Sequence, residues 1–379
     1  MHLEIDMYGI AALLLALHGL AHLVGFRAAF WPTPIDLRKR SYLGRKVEGL
    51  GWLLLALGFL VSAWLLLHHH GAWNPLLLGC AAGSFLLCLL SWPDARIGLV
   101  VNGLLFVLVL LLMPRNHPGF LGSRLEQEVR LASLPSTAAR TELVSEASIA
   151  GLPPPVQQYL RFMGAVGKPR DWSLRAQFSA RFRRDAGPWL PCEVLQYDRR
   201  EPVARIFLMQ LSLYPALPVT VRDTYVHGHG SMEAKAFDLL RVADGRGDQL
   251  DVGELVTYLN DAILMAPSLV LGTETSWRAV DAHAFDVTLR DGSLSVTARV
   301  WLDAEGAPID FSTTDRFFDG PDGERVRREW RTPVSSWQDV GGRRLPTRAE
   351  AVWQLPNGPF AYADFTMEPA KIAFNVPPL

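Results

Sequence analysis

Residues 172–182 read WSLRAQFSARF. Trp172, Leu174, Ala176, Phe178, Ala180 and Phe182 occupy every second position. A period of two puts such a set on one face of a strand, so the stretch predicts a β-strand with one buried face. Strand-like runs recur downstream at 191–197, 204–213, 219–226, 230–236, 276–280, 284–289, 294–302, 309–317, 324–338, 348–353 and 362–374. Turn pairs such as Asp291 with Gly292 and Gly341 with Gly342 separate several of them. Consecutive strands joined by short turns predict an antiparallel meander. Two helical patterns accompany it. The first is LPPPVQQYLRFMG at 152–164, with Val156, Tyr159, Leu160 and Met163 at helical spacing, and the second spans 251–266.

A sheet of this size hides its second face by closing into a barrel or by taking a helix into its concavity. With one or two helices available, the expected fold is a curved antiparallel half-barrel with those helices on its concave face. An apolar cleft between sheet and helix would suit an acyl chain or another elongated apolar ligand. The strand aromatics, among them Trp277, Phe285, Trp301, Phe311 and Trp330, read first as core.

The other half of the chain is different in kind. The whole chain has 379 residues, 49% of them hydrophobic, a formal net charge of −1 and a mean hydropathy of +0.14. The excess apolarity lies before residue 114, in stretches near 7–26, 47–67, 72–92 and 96–113. Each is long enough to cross a bilayer, which takes roughly 17–25 helical residues. The expected organisation is a four-helix transmembrane domain over 1–113, a linker with an amphipathic helix over 114–150, and a β-rich half-barrel domain over 151–379. The first run lacks a basic leader and a small-residue cleavage site, so it reads as an uncleaved helix. Arg27, Arg38, Lys39, Arg40, Arg45 and Lys46 crowd the first loop, whereas the second, HHHGAW, has no Lys or Arg. Basic loops stay in the cytoplasm. This predicts a multi-pass protein of the cytoplasmic (inner) membrane, with the N-terminus and the C-terminal domain outside, periplasmic or extracellular. Trp31 and Trp92 would sit at the inner interface, Trp64 and Trp73 at the outer one.

Charge near zero argues against nucleic acid as a partner. Cys80, Cys88 and Cys192 cannot frame a disulfide scaffold, since two of them lie in an apolar run. No Walker A, GxSxG, HExxH or CxxC pattern is present. Binding is therefore expected rather than catalysis, and no cofactor is implied.

Among the polar residues within the apolar runs, His18, His22, Glu48 and Asn102 carry the candidate chemistry. His18 and His22, four apart, share a helix face. Three readings stand side by side: a hydrogen-bonded cluster that fixes helix packing, metal, haem or proton chemistry at His18 and His22, and snorkelling at the interface. The predicted arrangement has His22 and Asn102 facing the bundle interior, with Glu48 closing the cluster from the cytoplasmic side. Gly44, Gly51 and Gly58, seven apart, predict a close-packed stripe on the second helix. The run His68, His69, His70 reads as interfacial residues before it reads as a metal site. Asp251 and Glu254 have capping-box spacing. With Asp244 and Asp248 they also suggest a cation site, although the spacing is not that of an EF-hand. HGHG at 227–230 reads as a turn or strand end.

The chain resembles a bacterial family of membrane-anchored proteins with no established activity. LHGLAHLVGF at 17–26 and SWPDARIGLVVN at 91–102 carry the likeness in the apolar half. In the polar half it is carried by LPPPVQQYLRFMGAVGKPR at 152–170, VRDTYVHGHGSM at 221–232, LDVGELVTYLND at 250–261 and TPVSSWQDVGGRRLPTRAEAVW at 332–353. The resemblance covers nearly the whole chain and implies no catalytic residues. On strand count and central helix, the polar half also resembles, more loosely, the lipoprotein-carrier (LolA-like) half-barrel. Together these readings imply a membrane-anchored protein whose outer domain binds a lipid, lipoprotein or other apolar envelope ligand. The alternatives are an envelope sensor or scaffold acting through a membrane partner, and intramembrane chemistry at His18 and His22.

Overall fold

The computed structural model describes residues 7–31, 42–68, 72–91, 95–112, 120–136, 141–214, 217–236, 238, 240–320 and 324–378. Arg38, Lys39, Arg40, His69, His70 and Trp92 lie outside the described residues. The chain divides into two compact units, Met1–Phe120 and Leu121–Leu379.

The first unit is helical: α1 (Met7–Phe30), α2 (Tyr42–Leu67), α3 (Trp73–Leu90) and α4 (Arg96–Leu112). Two apolar segments, Ala11–Phe30 and Leu43–Leu67, are long and apolar enough to cross a membrane. Those in α3 and α4, Pro75–Leu90 and Arg96–Leu105, are shorter. Apolar helices near the N-terminus are consistent with membrane anchoring. Glycines set the close approaches. A Cβ on Gly58 would overlap the Cys80 sulfur, and one on Gly51 would stand 3.0 Å from Leu87, so this stripe of α2 meets α3.

The second unit opens with α5 (Phe120–Leu131), α6 (Glu146–Ile149) and α7 (Pro154–Phe162). Proline at the first turn of α7 costs no hydrogen bond, and Val156, Tyr159 and Leu160 bury its apolar side. Fifteen strands then form one antiparallel sheet. They are β1 (Ser173–Phe182), β2 (Leu190–Arg199), β3 (Ala204–Tyr214), β4 (Leu217–Val226), β5 (His229–Ala236), β6 (Leu240–Arg246), β7 (Thr275–Asp281), β8 (Ala284–Asp291), β9 (Leu294–Leu302), β10 (Pro308–Thr313), β13 (Trp330–Arg331), β14 (Val334–Val340), β15 (Arg343–Leu355), β16 (Gly358–Thr366) and β17 (Ile372–Phe374). The order across the sheet is β6-β5-β4-β3-β2-β1-β16-β15-β13-β10-β9-β8-β7, with β14 on β15 and β17 on β1. A separate hairpin, β11 (Phe317–Asp319) with β12 (Arg325–Arg327), lies between β10 and β13 in sequence. Helix α8 (Asp248–Met265) and the 3-10 turn Pro267–Val270 connect edge strand β6 to edge strand β7.

Several expectations need correction. The run 309–317 divides between β10 and β11, and 324–338 breaks into β12, β13 and β14. The run 362–374 is interrupted by a 3-10 turn at Pro369–Lys371. Proline lacks the N–H that a ladder needs, and Pro333 and Pro369 stand at these breaks. Strand β6 was not expected at all. Part of the stretch expected as linker joins the β unit: Leu125 and Val129 of α5 pack with Leu134 on Tyr197, Ile206 and Leu208 of the sheet.

Helix α8 sits against β3, β4, β5 and β6 from one side of the sheet and against β9 and β15 from the other. Every residue from Gly253 through Asn260 is buried, which is more than two full turns. A helix buried all round is a core helix rather than a surface one. The concavity is thus filled by α8 itself, and the expected open cleft between sheet and helix is absent over this stretch.

Candidate functional site

The polar residues of the apolar unit come together around α3. The His18 Nε2–H donates to Asn102 Oδ1 at 3.0 Å, and Asn102 Nδ2 donates to Ser84 Oγ at 2.6 Å. Ser84 Oγ lies 2.6 Å from His22 Nε2, and His22 Nδ1 lies 2.8 Å from the His18 carbonyl oxygen. A carbonyl can only accept, so His22 Nδ1 carries the proton and the neutral ring's Nε2 accepts from Ser84. The result is a closed circuit through α1, α3 and α4, with Asn102 1% exposed and Ser84 fully buried. Both His22 nitrogens are engaged in this circuit. Glu48 accepts a hydrogen bond from Ser91, about two turns further along α3 than Ser84. His68 donates to the Trp64 carbonyl at 2.9 Å, within its own helix. Ser84 was missed by the sequence reading; a lone hydroxyl in an apolar run was its signal.

The β unit buries a second polar group that the sequence reading did not assemble. Arg205 of β3 is 4% exposed. Its Nε donates to Asp261 at 2.7 Å and its Nη1 to Glu254 at 3.2 Å, both on α8. Its Nη1 lies 3.6 Å from Asp223 of β4. Gln196 of β2 donates to both Asp198 and Asp261 at 2.7 Å. Burial opposes the Arg205 charge, but Asp261, Asp223, Glu254 and Asp198 outweigh it and hold its pKa above the usual range. Burial pushes the Glu254 carboxyl up, the neighbouring Asp223 charge pushes it further, and Arg205 and Arg316 pull it back, leaving it at about 8. Burial likewise raises Asp198 and Asp261.

Glu254 also shows how far the sheet curls. Arg316, just beyond β10, lies 3.8 Å from its other oxygen and stacks over Trp330. Strands β3 and β10 are six places apart in the sheet, about 29 Å if it were flat. One carboxyl reached both by Arg205 of β3 and by Arg316, three residues past β10, means that the sheet wraps around α8. The β11–β12 hairpin crosses the same gap: a Cβ on Gly245 of β6 would lie 3.9 Å from Arg325 Nη2.

The acidic residues read as a cation site or cap do neither. Helix α8 starts at Asp248 on an N-cap Gly247 without a side-chain cap. Asp251 instead accepts the Gly230 N–H at 2.6 Å, Glu254 faces Arg205, and Asp244 pairs with Arg241 at 3.0 Å. The HGHG segment is the β4–β5 turn, where His227 and Gly228 have φ of 54° and 80°. It borders a cleft of about 590 Å³ between α5, β4, β5 and the start of α8, lined by Glu128, Arg222, His229, Ser231, Arg246 and Asp251 among others. A cleft of about 400 Å³ lies between the β11–β12 hairpin and the β15–β16 turn. Among the described residues no group of three or more His, Cys, Asp or Glu side chains is arranged to hold a metal.

Residues 142–365 match a family of unknown function, DUF6544. The chain belongs to that family. The match spans the region from just before α6 to the end of β16, so the Arg205 group and α8 lie inside it. Among solved structures, a LolA superfamily protein, NE2245 from Nitrosomonas europaea, is 13% identical, with a TM-score of 0.27 over 55% of this chain and 90% of that chain. A DUF1329 family protein from Desulfovibrio piger ATCC 29098 is 11% identical, with a TM-score of 0.31 over 62% of this chain and 95% of that one. No curated protein matches the chain.

Proposed function

We propose that this DUF6544 member is a membrane-anchored binding protein. In this reading α1–α4 form four spans of the cytoplasmic membrane, the N-terminus and β unit lie outside, and a half-barrel receives a lipid, lipoprotein or other apolar envelope ligand. The supporting observation is the plug. A wrapped sheet with an apolar lining that includes Phe178, Val194, Met209, Val287 and Phe311 is filled by one helix tethered between two edge strands. A helix can leave such a lining as a unit, whereas interdigitated side chains of a second sheet cannot. Ligand entry in this reading displaces α8 or the β11–β12 hairpin beside edge strand β6, where Leu240 and Val242 are exposed.

Native mass spectrometry of the full chain, extracted gently from its membrane, tests the reading. A retained adduct of lipid mass, exchangeable with added fatty acid or phospholipid, is the expected result. Folded protein of bare mass that takes up neither would sink it.

A further inference from the structure

The turn between β1 and β2 reads RRDAGPW at 183–189. Arg183 is half-buried between two rings, its Cζ 4.4 Å from the centre of Trp189 and 5.2 Å from that of Phe360 in β16. Its Nε donates to the Ala361 carbonyl at 2.7 Å, and no carboxylate pairs with it among the described residues. Arg184 is exposed and has no partner among them. The half-buried Trp189 indole N–H has none either. Asp185 stands against the two arginines within the turn and accepts the Gly187 N–H at 2.7 Å. The neighbouring charges cancel: Arg181 and Arg348 flank Asp364, and Glu350 lies across the ladder from Asp364.

The chain enters the β unit at this same end of the strands. By register, Phe182 pairs with Leu190 and Ala236 with Leu240, so the β1–β2 and β5–β6 turns stand at one end of β1 to β6. Near the start of α5, Arg124 Nη1 lies 3.7 Å from Asp238 in the β5–β6 turn. At the other end of α5, the Ala132 carbonyl accepts from His227 in the β4–β5 turn at 2.9 Å. The segment that arrives from α4 therefore meets the β unit at the end that bears Arg183, Arg184 and Trp189. Leu240, 65% exposed, adds an apolar side chain there.

We propose that this end of the β unit rests on the anionic surface of the bilayer, with Trp189 at headgroup level and Arg183 and Arg184 on lipid phosphates. The proposal rests on one part of the reading above, that α1–α4 span the membrane. An indole with an apolar body and a free N–H belongs at a membrane–water interface. A guanidinium stacked on rings is preset for phosphate, because its planar fork loses little freedom on binding. Each arginine near an anionic surface favours the docked state about fivefold. Docking would bring the bilayer next to the β15–β16 turn, which borders the cleft of about 400 Å³ lined by Phe318, Val326 and Leu355.

The test uses the full chain in lipid nanodiscs of phosphatidylglycerol and phosphatidylcholine, with a fluorophore on Ala186→Cys. Cys80, Cys88 and Cys192 are buried, so the label goes to the tip. A lipid with a nitroxide on its headgroup should quench the label, and about 1 M salt should relieve the quenching. Arg184→Gln, at an exposed position with no contact to lose, should lower the docked-to-free ratio about fivefold, and Arg183→Gln should do the same. An unquenched label on protein held in the discs would overturn the docking and leave the anchoring intact. Protein that does not enter discs would sink the anchoring itself, and the docking with it. A label shielded from water but not quenched would mean that a protein covers the tip, which overturns the proposal. Quenching that survives salt and both variants would overturn it as well.

Discussion

The Tyr225 hydroxyl donates to Asp291 Oδ2 at 2.6 Å. Tyr225 lies on β4, third from one edge of the sheet, and Asp291 ends β8, second from the other. Nine strand places separate them, about 43 Å in a flat sheet. Natural twist alone does not bring such strands together. This side-chain bond joins the two margins of the roll. Burial, then the bond to Asp291 and the Asp251 charge, hold the phenol above its usual pKa, so it remains a donor at neutral pH.

Tyr225→Phe removes that hydroxyl and keeps the ring, which is fully buried. A hydrogen bond to a charged group contributes about 1.5–3 kcal/mol, so a loss of roughly 2 kcal/mol is expected. Denaturant unfolding of the full chain checks it. The midpoint should drop with an unchanged slope, and a loss below about 0.5 kcal/mol would mean that the bond does not hold the roll.

The Asp171 carboxylate, fully buried at the start of β1, receives both Arg343 Nη groups at 2.9 and 2.7 Å, Ser268 at 2.5 Å and Asn375 at 3.1 Å. It ties β15, the turn after α8 and the C-terminal segment to one point. Arg343→Met leaves the charge buried without its main partner, at a cost of about 3–5 kcal/mol. Arg343→Lys keeps the charge but not the fork, so its loss should be intermediate. Calorimetry that ranks the lysine variant below the methionine variant would contradict this account.

How much of this was legible depended on range. The alternation of WSLRAQFSARF located β1 almost to the residue, because strand period is a local property. The two-glycine turn at Gly341 and Gly342 was equally local, since both φ values are positive there. Strand β6, LRVADGR, carries no alternation, and its place at the sheet edge leaves most of it exposed. The Arg205 group was hidden because its partners on α8 lie 49 and 56 residues away in sequence. A signal existed: Arg205 is a lone charge ahead of the apolar run IFLM at 206–209 in β3, and Glu254 and Asp261, seven apart, share a helix face. The His18, His22 and Asn102 meeting followed from the cost of bare polar groups in an apolar bundle, but the central hydroxyl, Ser84, carries no charge to betray it.

Ser84 is the hub of the circuit in the apolar unit. Ser84→Ala removes the acceptor of Asn102 Nδ2 and the donor to His22 Nε2 together. On the proposed reading of α1–α4 as membrane spans, each bond between helices contributes about 0.6 kcal/mol on average and about 1.7 at most, so losing two should cost about 1–2 kcal/mol. Asn102→Leu, which opens the circuit at its link to His18, should cost a similar amount. Combining the two should cost clearly less than their sum, because both break one circuit. Full additivity in detergent unfolding would show that the bonds act separately.

Gly164 ends α7. Its N–H bonds to the Arg161 carbonyl at 3.0 Å and the next, Ala165, to Leu160 at 3.1 Å, the pattern of a Schellman cap. Such a cap needs a left-handed residue, and Gly164 has φ +67°. A Cβ there would also overlap the Gly342 carbonyl oxygen in the β14–β15 turn, where Arg344 N–H meets the Met163 carbonyl at 3.3 Å. Gly167 supplies the control: its φ is +84°, but a Cβ would meet nothing within 4 Å. Gly167→Ala should therefore cost about 1–2 kcal/mol from the left-handed backbone alone. Gly164→Ala adds displacement of a backbone carbonyl, about 1–3 kcal/mol more on the scale of overpacked cores. Equal losses in the two variants would mean that the turn shifts freely and that α7 is not braced against it.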